Sequence, residues 1–140
     1  MPYEDEDPPF VEPDVELNQI VTLFIGAAIE IHRRLGAGLD EKLYCNALCI
    51  ELRRRNIPFS TEISIPVTYK DEAIGEKRVD FIIGNRLIVE IKAVECLTSL
   101  HSAQLRTYLK ITNSKLGLPI NFNVPILKDG IKRIINPSAH

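Results

Sequence analysis

A chain of 140 residues, 45% apolar and 26% charged, has the length of one domain and the composition of a globular protein with a real core. No apolar run is expected to span a membrane, and no secretory leader is expected ahead of the first helix. The formal net charge of −2 argues against a uniformly basic nucleic-acid binder, so the distribution of charge has to be considered.

Residues 1–16 carry seven acids and no base, which leaves 12 acids against 17 bases in the rest of the chain. A modestly basic body behind an acidic arm suits phosphate binding, and equally a merely soluble surface. Residues 1–13 hold four of the nine prolines and five acids; they cannot bury apolar area and are expected to be a disordered arm. A single domain is expected over 14–140. Three cysteines, an odd number without framework spacing, read as reduced thiols and a cytoplasmic location.

Asp14 is placed to cap a helix over Val15–Leu35, in which Leu17, Ile20, Val21, Phe24, Ile25, Ala28 and Ile31 or His32 recur at core-facing spacing. Gly36 stops it, and Gly38 permits a close turn into a second helix over Asp40–Arg55. On that helix Glu41, Tyr44 and Leu48 share one face and Leu43, Ala47 and Ile50 another, which predicts burial on both flanks. Cys45 and Cys49, four apart, read as buried packing. Arg53, Arg54 and Arg55 suit the dipole at the helix end. Phe59–Lys70 alternates as a strand, and Pro66 within it points to a sheet edge. A turn is expected over Asp71–Gly75.

Two apolar strands follow, around Gly84-Asn85-Arg86, with three charges embedded: Asp80, Glu90 and Lys92. The run from Leu87 is nearly all branched aliphatic, as in a strand covered on both faces, where a charge is costly unless paired or bound to metal. Alternation puts Leu87, Val89 and Ile91 on one face and Ile88, Glu90 and Lys92 on the other, the two charges about 7 Å apart at ~3.4 Å per residue. A two-residue loop would pair Asp80 with Val89. A three-residue loop pairs Ile83 with Leu87 and so Asp80 with Glu90, and this register is expected because it gathers the three charges. Two adjacent carboxylates repel, which a cation relieves; a structural ion pair with Lys92 is the alternative.

Thr98 or Ser99 caps a third helix to about Ile111, with Gln104 and Tyr108 four apart on one face and His101 before them. His101 and His32 lack sequence-local carboxylate partners and read as satisfied interior or rim histidines. Lys115–Asn123 is expected to be a strand parallel to the Glu90 strand, with irregularity at Pro119, which removes a ladder donor. A Lys128-Asp129-Gly130 turn and a short strand over Ile131–Ile135 close the chain.

Asp80 followed by Glu90-Ile91-Lys92 on the next strand resembles the signature of the PD-(D/E)XK nucleases, with Val79 in place of the variable proline. Gly38-Leu39-Asp40-Glu41-Lys42-Leu43-Tyr44 resembles the naming motif of one branch, the GxxExxY family, and the similarity runs from about Ile20 to Ile135. Pro119 departs from that family's usual aliphatic residue. The resemblance implies an α/β fold with a restriction-endonuclease-like core, a mixed central sheet flanked by helices in the order α-α-β-β-β-α-β-β. It implies a metal-dependent nuclease acting on nucleic acid, with DNA favoured; the alternative is a nuclease-like fold serving as a non-catalytic binding or assembly module. No membrane partner is expected, and a homodimer is compatible with the sequence. By the same resemblance Asp80, Glu90 and the Ile91 carbonyl would hold Mg2+, with Mn2+ able to substitute. Lys92 would orient or deprotonate the attacking water, Glu41 would serve the metal's outer shell or a second ion, and Gln104 and Tyr108 would position Lys92 or the substrate.

Overall fold

The computed structural model describes residues 14–139; the arm expected over 1–13 lies outside the described residues. The elements are α1 (Val15–Leu35), α2 (Glu41–Arg54), β1 (Phe59–Tyr69), β2 (Glu72–Ile83), β3 (Leu87–Lys92), α3 (Ser99–Thr112), β4 (Leu116–Asn121), a 3-10 turn (Leu127–Gly130) and β5 (Ile134–Ile135). Their order is the expected one. The sheet order is β1-β2-β3-β4-β5, with β3 and β4 parallel and the other neighbours antiparallel, which gives the expected mixed sheet.

Helix α1 begins where the Asp14 side chain accepts the Leu17 amide at 3.0 Å. Its stripe of Leu17, Val21, Phe24, Ala27, Ala28 and Ile31 is buried. An 18-residue window of this 21-residue helix has a mean hydropathy of 1.2, so by length and composition alone it is apolar enough to cross a membrane, which corrects the expectation that no run reaches that length. Its apolar stripe packs in the core together with α2, the matching side of the sheet and Phe122. Truncating a residue such as Phe24, 0% exposed, to Ala costs about 3–5 kcal/mol at such a site.

Helix α2 buries one stripe, Tyr44, Leu48 and Leu52. The second buried flank expected for it is not there: Leu43 and Ile50 are each 47% exposed, because α1 and the sheet meet α2 on the Tyr44 side alone. Cys45 and Cys49 are half-buried, not buried. A second core lies on the other face of the sheet, where Ile65, Val79, Ile88 and Ile134 meet Leu105, Tyr108 and Leu109 of α3.

Strand β1, which carries Pro66, is the sheet edge, as expected. The turn expected over Asp71–Gly75 is shorter. Lys70 and Asp71 alone form it, both left-handed, and Tyr69 pairs directly with Glu72. Pro119 leaves the β3–β4 ladder intact over six pairs. Its carbonyl accepts the Lys132 amide at 3.3 Å, so its missing N–H falls on that same β5 side, where regular pairing covers only Leu116 and Gly117. The last strand is correspondingly shorter than expected, Ile134–Ile135. Before it, the 3-10 turn presses onto the end of β4: a Cβ on Gly130 would lie 2.1 Å from the Asn121 carbonyl oxygen.

Candidate nuclease site

The β2–β3 hairpin sets the site. Gly84 and Asn85 are both left-handed, at φ 58° and 60°, and the Arg86 amide donates to the Ile83 carbonyl at 3.1 Å. Gly84 also faces Ile20, whose Cδ1 would lie 2.8 Å from an added Cβ. Arg86 is the extra residue of the loop. It is held outside the ladder by a two-pronged pair with Asp14 and a 3.2 Å contact with Glu16, which ties the hairpin to the start of α1. The pairs Ile83 with Leu87, Ile82 with Ile88 and Phe81 with Val89 follow, so the next position sets Asp80 opposite Glu90.

At that position regular pairing lapses on both sides of Asp80, by one pair toward β1 and from there on toward β3. Toward β1, Thr61 pairs with Phe81 and Ile63 with Val79, while Glu62, left-handed at φ 50°, leaves Asp80 without a backbone partner. Toward β3, side chains replace the ladder. The Asp80 amide donates to Glu90 Oε2 at 2.7 Å, and the Ile91 amide donates to Asp80 Oδ2 at 2.8 Å. The kink also exchanges faces: Phe81 packs with α1 and α2, whereas Val79, two residues away, packs with α3. Both carboxylates are therefore gathered at the splay between β2 and β3. The Ile91 N–H points to this cleft, and in an extended strand the carbonyl of the same residue points to the same edge.

Burial makes this arrangement electrostatically costly. Glu90 is 7% exposed, and burial, followed by the charge of Asp80, pushes its carboxyl up to about 7 against the opposing Asp80 amide and Lys92. Burial also raises Asp80, offset by the Ile91 amide and Lys92. Among the described residues no Lys, Arg or His nitrogen lies within 4.0 Å of either carboxylate, so the structural ion pair with Lys92 does not form. Lys92 is half-buried beyond them and acts on both through its field.

A model of the PD-(D/E)XK nuclease superfamily matches residues 18–134. The chain belongs to the PD-(D/E)XK nuclease superfamily. No curated protein matches it. The α/β class with a five-stranded mixed sheet is the restriction-endonuclease-like fold of these nucleases, and the superfamily generally uses divalent metals.

In this nuclease fold the donors at the splay are two carboxylates and a backbone carbonyl. An all-oxygen set of this kind suits a hard cation, and the buried Glu90 and half-buried Asp80 carboxyls lack a protein cation in contact. Among the described residues no group of three or more His, Cys, Asp and Glu has metal-holding geometry. Glu41 is thus not a third carboxylate of one cluster. It is exposed on the first turn of α2, lines a cavity of about 400 Å3 with Asp80 and Glu62, and adds its charge to the field at Glu90. Burial pushes the neighbouring Cys45 thiol up to about 12, so it is a neutral thiol.

The motif around Glu41 has a structural logic that spacing alone did not reveal. The Tyr44 hydroxyl donates to the Gly36 carbonyl at 2.6 Å and accepts the Leu39 amide at 3.2 Å, and its ring stacks on Phe122 at 4.4 Å. Tyr44 therefore closes the α1–α2 connection and fixes where α2, and Glu41 with it, begins. On α3, Gln104 lies one turn before Tyr108, and burial, then the charges of Glu90 and Asp80, raise the Tyr108 phenol, which places it near the carboxylates. His101 is satisfied within the helix cap, where its Nδ1 accepts the Thr98 amide at 3.0 Å; burial and Lys92 both lower its pKa. His32 Nε2 lies 2.8 Å from the Val124 carbonyl.

Asn121 went unnoticed in the sequence. It is 1% exposed and paired with Lys92 across the parallel ladder. Its Oδ1 accepts the Val94 and Asn123 amides at 3.0 and 3.1 Å, and its Nδ2 donates to the Val94 carbonyl at 2.9 Å. The backbone leaving Lys92 is thereby clamped to the end of β4. A buried Asn after an apolar strand was the available signal.

Proposed function

We propose that the chain is a metal-dependent nuclease of the GxxExxY branch that hydrolyses phosphodiester bonds in DNA. The observation that carries the reading is the reciprocal pair of bonds at the splay, Asp80 amide to Glu90 and Ile91 amide to Asp80, which holds the buried Glu90 and the half-buried Asp80 carboxylates side by side without a cation in contact. Such an arrangement is unfavourable by itself and becomes favourable when a divalent ion is shared.

Asp80, Glu90 and the Ile91 carbonyl are the groups that would hold Mg2+, with Mn2+ as a substitute. A bound Mg2+ supplies Lewis-acid stabilisation of developing phosphate charge and a more acidic water. Lys92, next along the strand and half-buried, would orient the attacking water as an ammonium or take its proton as an amine, and would contact the scissile phosphate. Gln104 and Tyr108, four apart on α3 with the phenol within the field of Glu90, would position Lys92 or the substrate. Glu41 borders the cavity on the α2 side, from which it would serve the metal's outer shell or a second ion.

Calorimetric titration with Mn2+ tests the reading directly. Wild type is expected to bind and Asp80→Ala to lose binding, with DNA cleavage lost in parallel. Equal Mn2+ binding by both proteins would remove the assignment of the site.

A further inference from the structure

The charge of the described chain is segregated. Residues 14–96 carry 13 acids and 11 bases, whereas residues 97–140 carry one acid, Asp129, and six bases: Arg106, Lys110, Lys115, Lys128, Lys132 and Arg133. The positive surplus of the body thus belongs to α3, β4, β5 and the segments joining them.

These elements start at the site and lead away from it. The first turn of α3 lies within the field of Lys92 at His101. Lys128 is in the 3-10 turn that Gly130 seats on Asn121, the residue paired with Lys92. The Lys132 amide bonds to Pro119, and Pro119 pairs with Glu90, so Lys132 stands level with Glu90 about 10 Å away, two strand spacings across the sheet. At the far end, Lys110 closes α3 and Lys115 follows it, while Asn136 after β5 bonds to the Leu109 and Ser114 carbonyls. Arg133 lines a cavity there with Asp14 and Lys115, which pair with each other at 3.3 Å and leave Arg133 as its other charge.

The α2 side of the site has the opposite character. Glu41, Glu62 and Asp80 line its cavity against Lys42 alone. The arginines of α1 and α2 are partly neutralised within their own helices: Arg34 lies 2.6 Å and Arg33 3.7 Å from Glu30, and Arg55 lies 2.7 Å from Glu51. A polyanion centred on the site meets repulsion on one side and attraction on the other.

We infer that the phosphate backbone of the substrate leaves the site across α3 and the β4–β5 edge, contacting Lys128, Lys110 and Arg133, and does not run over α1 and α2. This rests on the nuclease reading above. The contacts are charge-based and independent of base sequence, as phosphate contacts are.

The test compares two variants that each remove three exposed positive charges: Lys110→Ser with Lys128→Ser and Arg133→Ser, against Arg33→Ser with Arg53→Ser and Arg54→Ser. Fluorescence anisotropy follows binding of a labelled DNA duplex and a labelled single strand over a range of potassium chloride, with Ca2+ in place of Mg2+ to withhold cleavage. Thermal melts verify that both variants are folded. Removing one phosphate-binding cation lowers the slope of log affinity against log salt by about 0.9 on duplex and about 0.7 on single strand, so the first variant is expected to lose roughly 2–3 in slope and the second less than about 0.5. An equal or larger loss in the α1–α2 variant, or no loss in either while wild type binds steeply with salt, overturns the inference and leaves the nuclease reading standing. Wild type that binds neither probe overturns both.

Discussion

Replacing Glu90 by Gln in the metal-free protein isolates the electrostatic cost of the site. Gln keeps the oxygen that accepts the Asp80 amide at 2.7 Å and the volume of the side chain, and removes only the charge. The Glu90 carboxyl is raised from 4.5 to about 7, first by burial and then by Asp80. Because its folded-state pKa lies above its unfolded value, the stabilisation it gives is complete below about pH 4.5 and is lost as pH rises through about 7. At 1.36 kcal/mol per unit the loss amounts to roughly 3 kcal/mol. Wild type and Glu90→Gln should therefore be nearly equal in stability at about pH 4, and the variant should be the more stable by up to roughly 3 kcal/mol above about pH 8 in EDTA. Mn2+ should close or reverse that gap, since a ligand at a hundredfold its Kd stabilises wild type by about 2.7 kcal/mol and the variant scarcely at all. Urea unfolding across pH, in EDTA and in Mn2+, measures each quantity. A difference between the two proteins that does not change with pH, or a variant less stable than wild type at alkaline pH in EDTA, would refute the argument.

Three further outcomes follow from the geometry. Lys92→Met should lower the DNA cleavage rate by about 10²–10⁴-fold while leaving calorimetric Mn2+ affinity at or above the wild-type level; loss of metal binding instead would make Lys92 a support of the carboxylates. Tyr44→Phe keeps the stack on Phe122 but strands the Gly36 carbonyl and the Leu39 amide, and should cost about 1–3 kcal/mol in denaturant unfolding. Gly130→Ala forces a methyl against the Asn121 carbonyl and should cost about 1–3 kcal/mol, read as a lower unfolding midpoint; an unchanged midpoint would mean that the 3-10 turn moves freely off β4.

The sequence alone determined the elements and the pairing of the two critical strands. Helical stripes, strand alternation and the Asp14 cap are local, and the order of elements follows from them. The three-residue hairpin loop was legible because register is a parity argument: only an odd loop sets Asp80 opposite Glu90, and burial of Leu87, Val89 and Ile91 on one face fixes the phase. Tertiary structure alone decided how Asp80 is held. A left-handed Glu62 in a neighbouring strand breaks the ladder, frees the Asp80 amide for Glu90, and exchanges the faces of Val79 and Phe81. No periodicity encodes that, because a single backbone conformation in one strand acts on its partner about twenty residues away. The same holds for Arg86 on Asp14, Tyr44 across the α1–α2 connection and Asn121 beneath the exit from Lys92. Each is a polar side chain satisfying backbone or charge that becomes its neighbour only after the apolar faces have packed, so the sequence carries the groups and the packed chain assigns their partners.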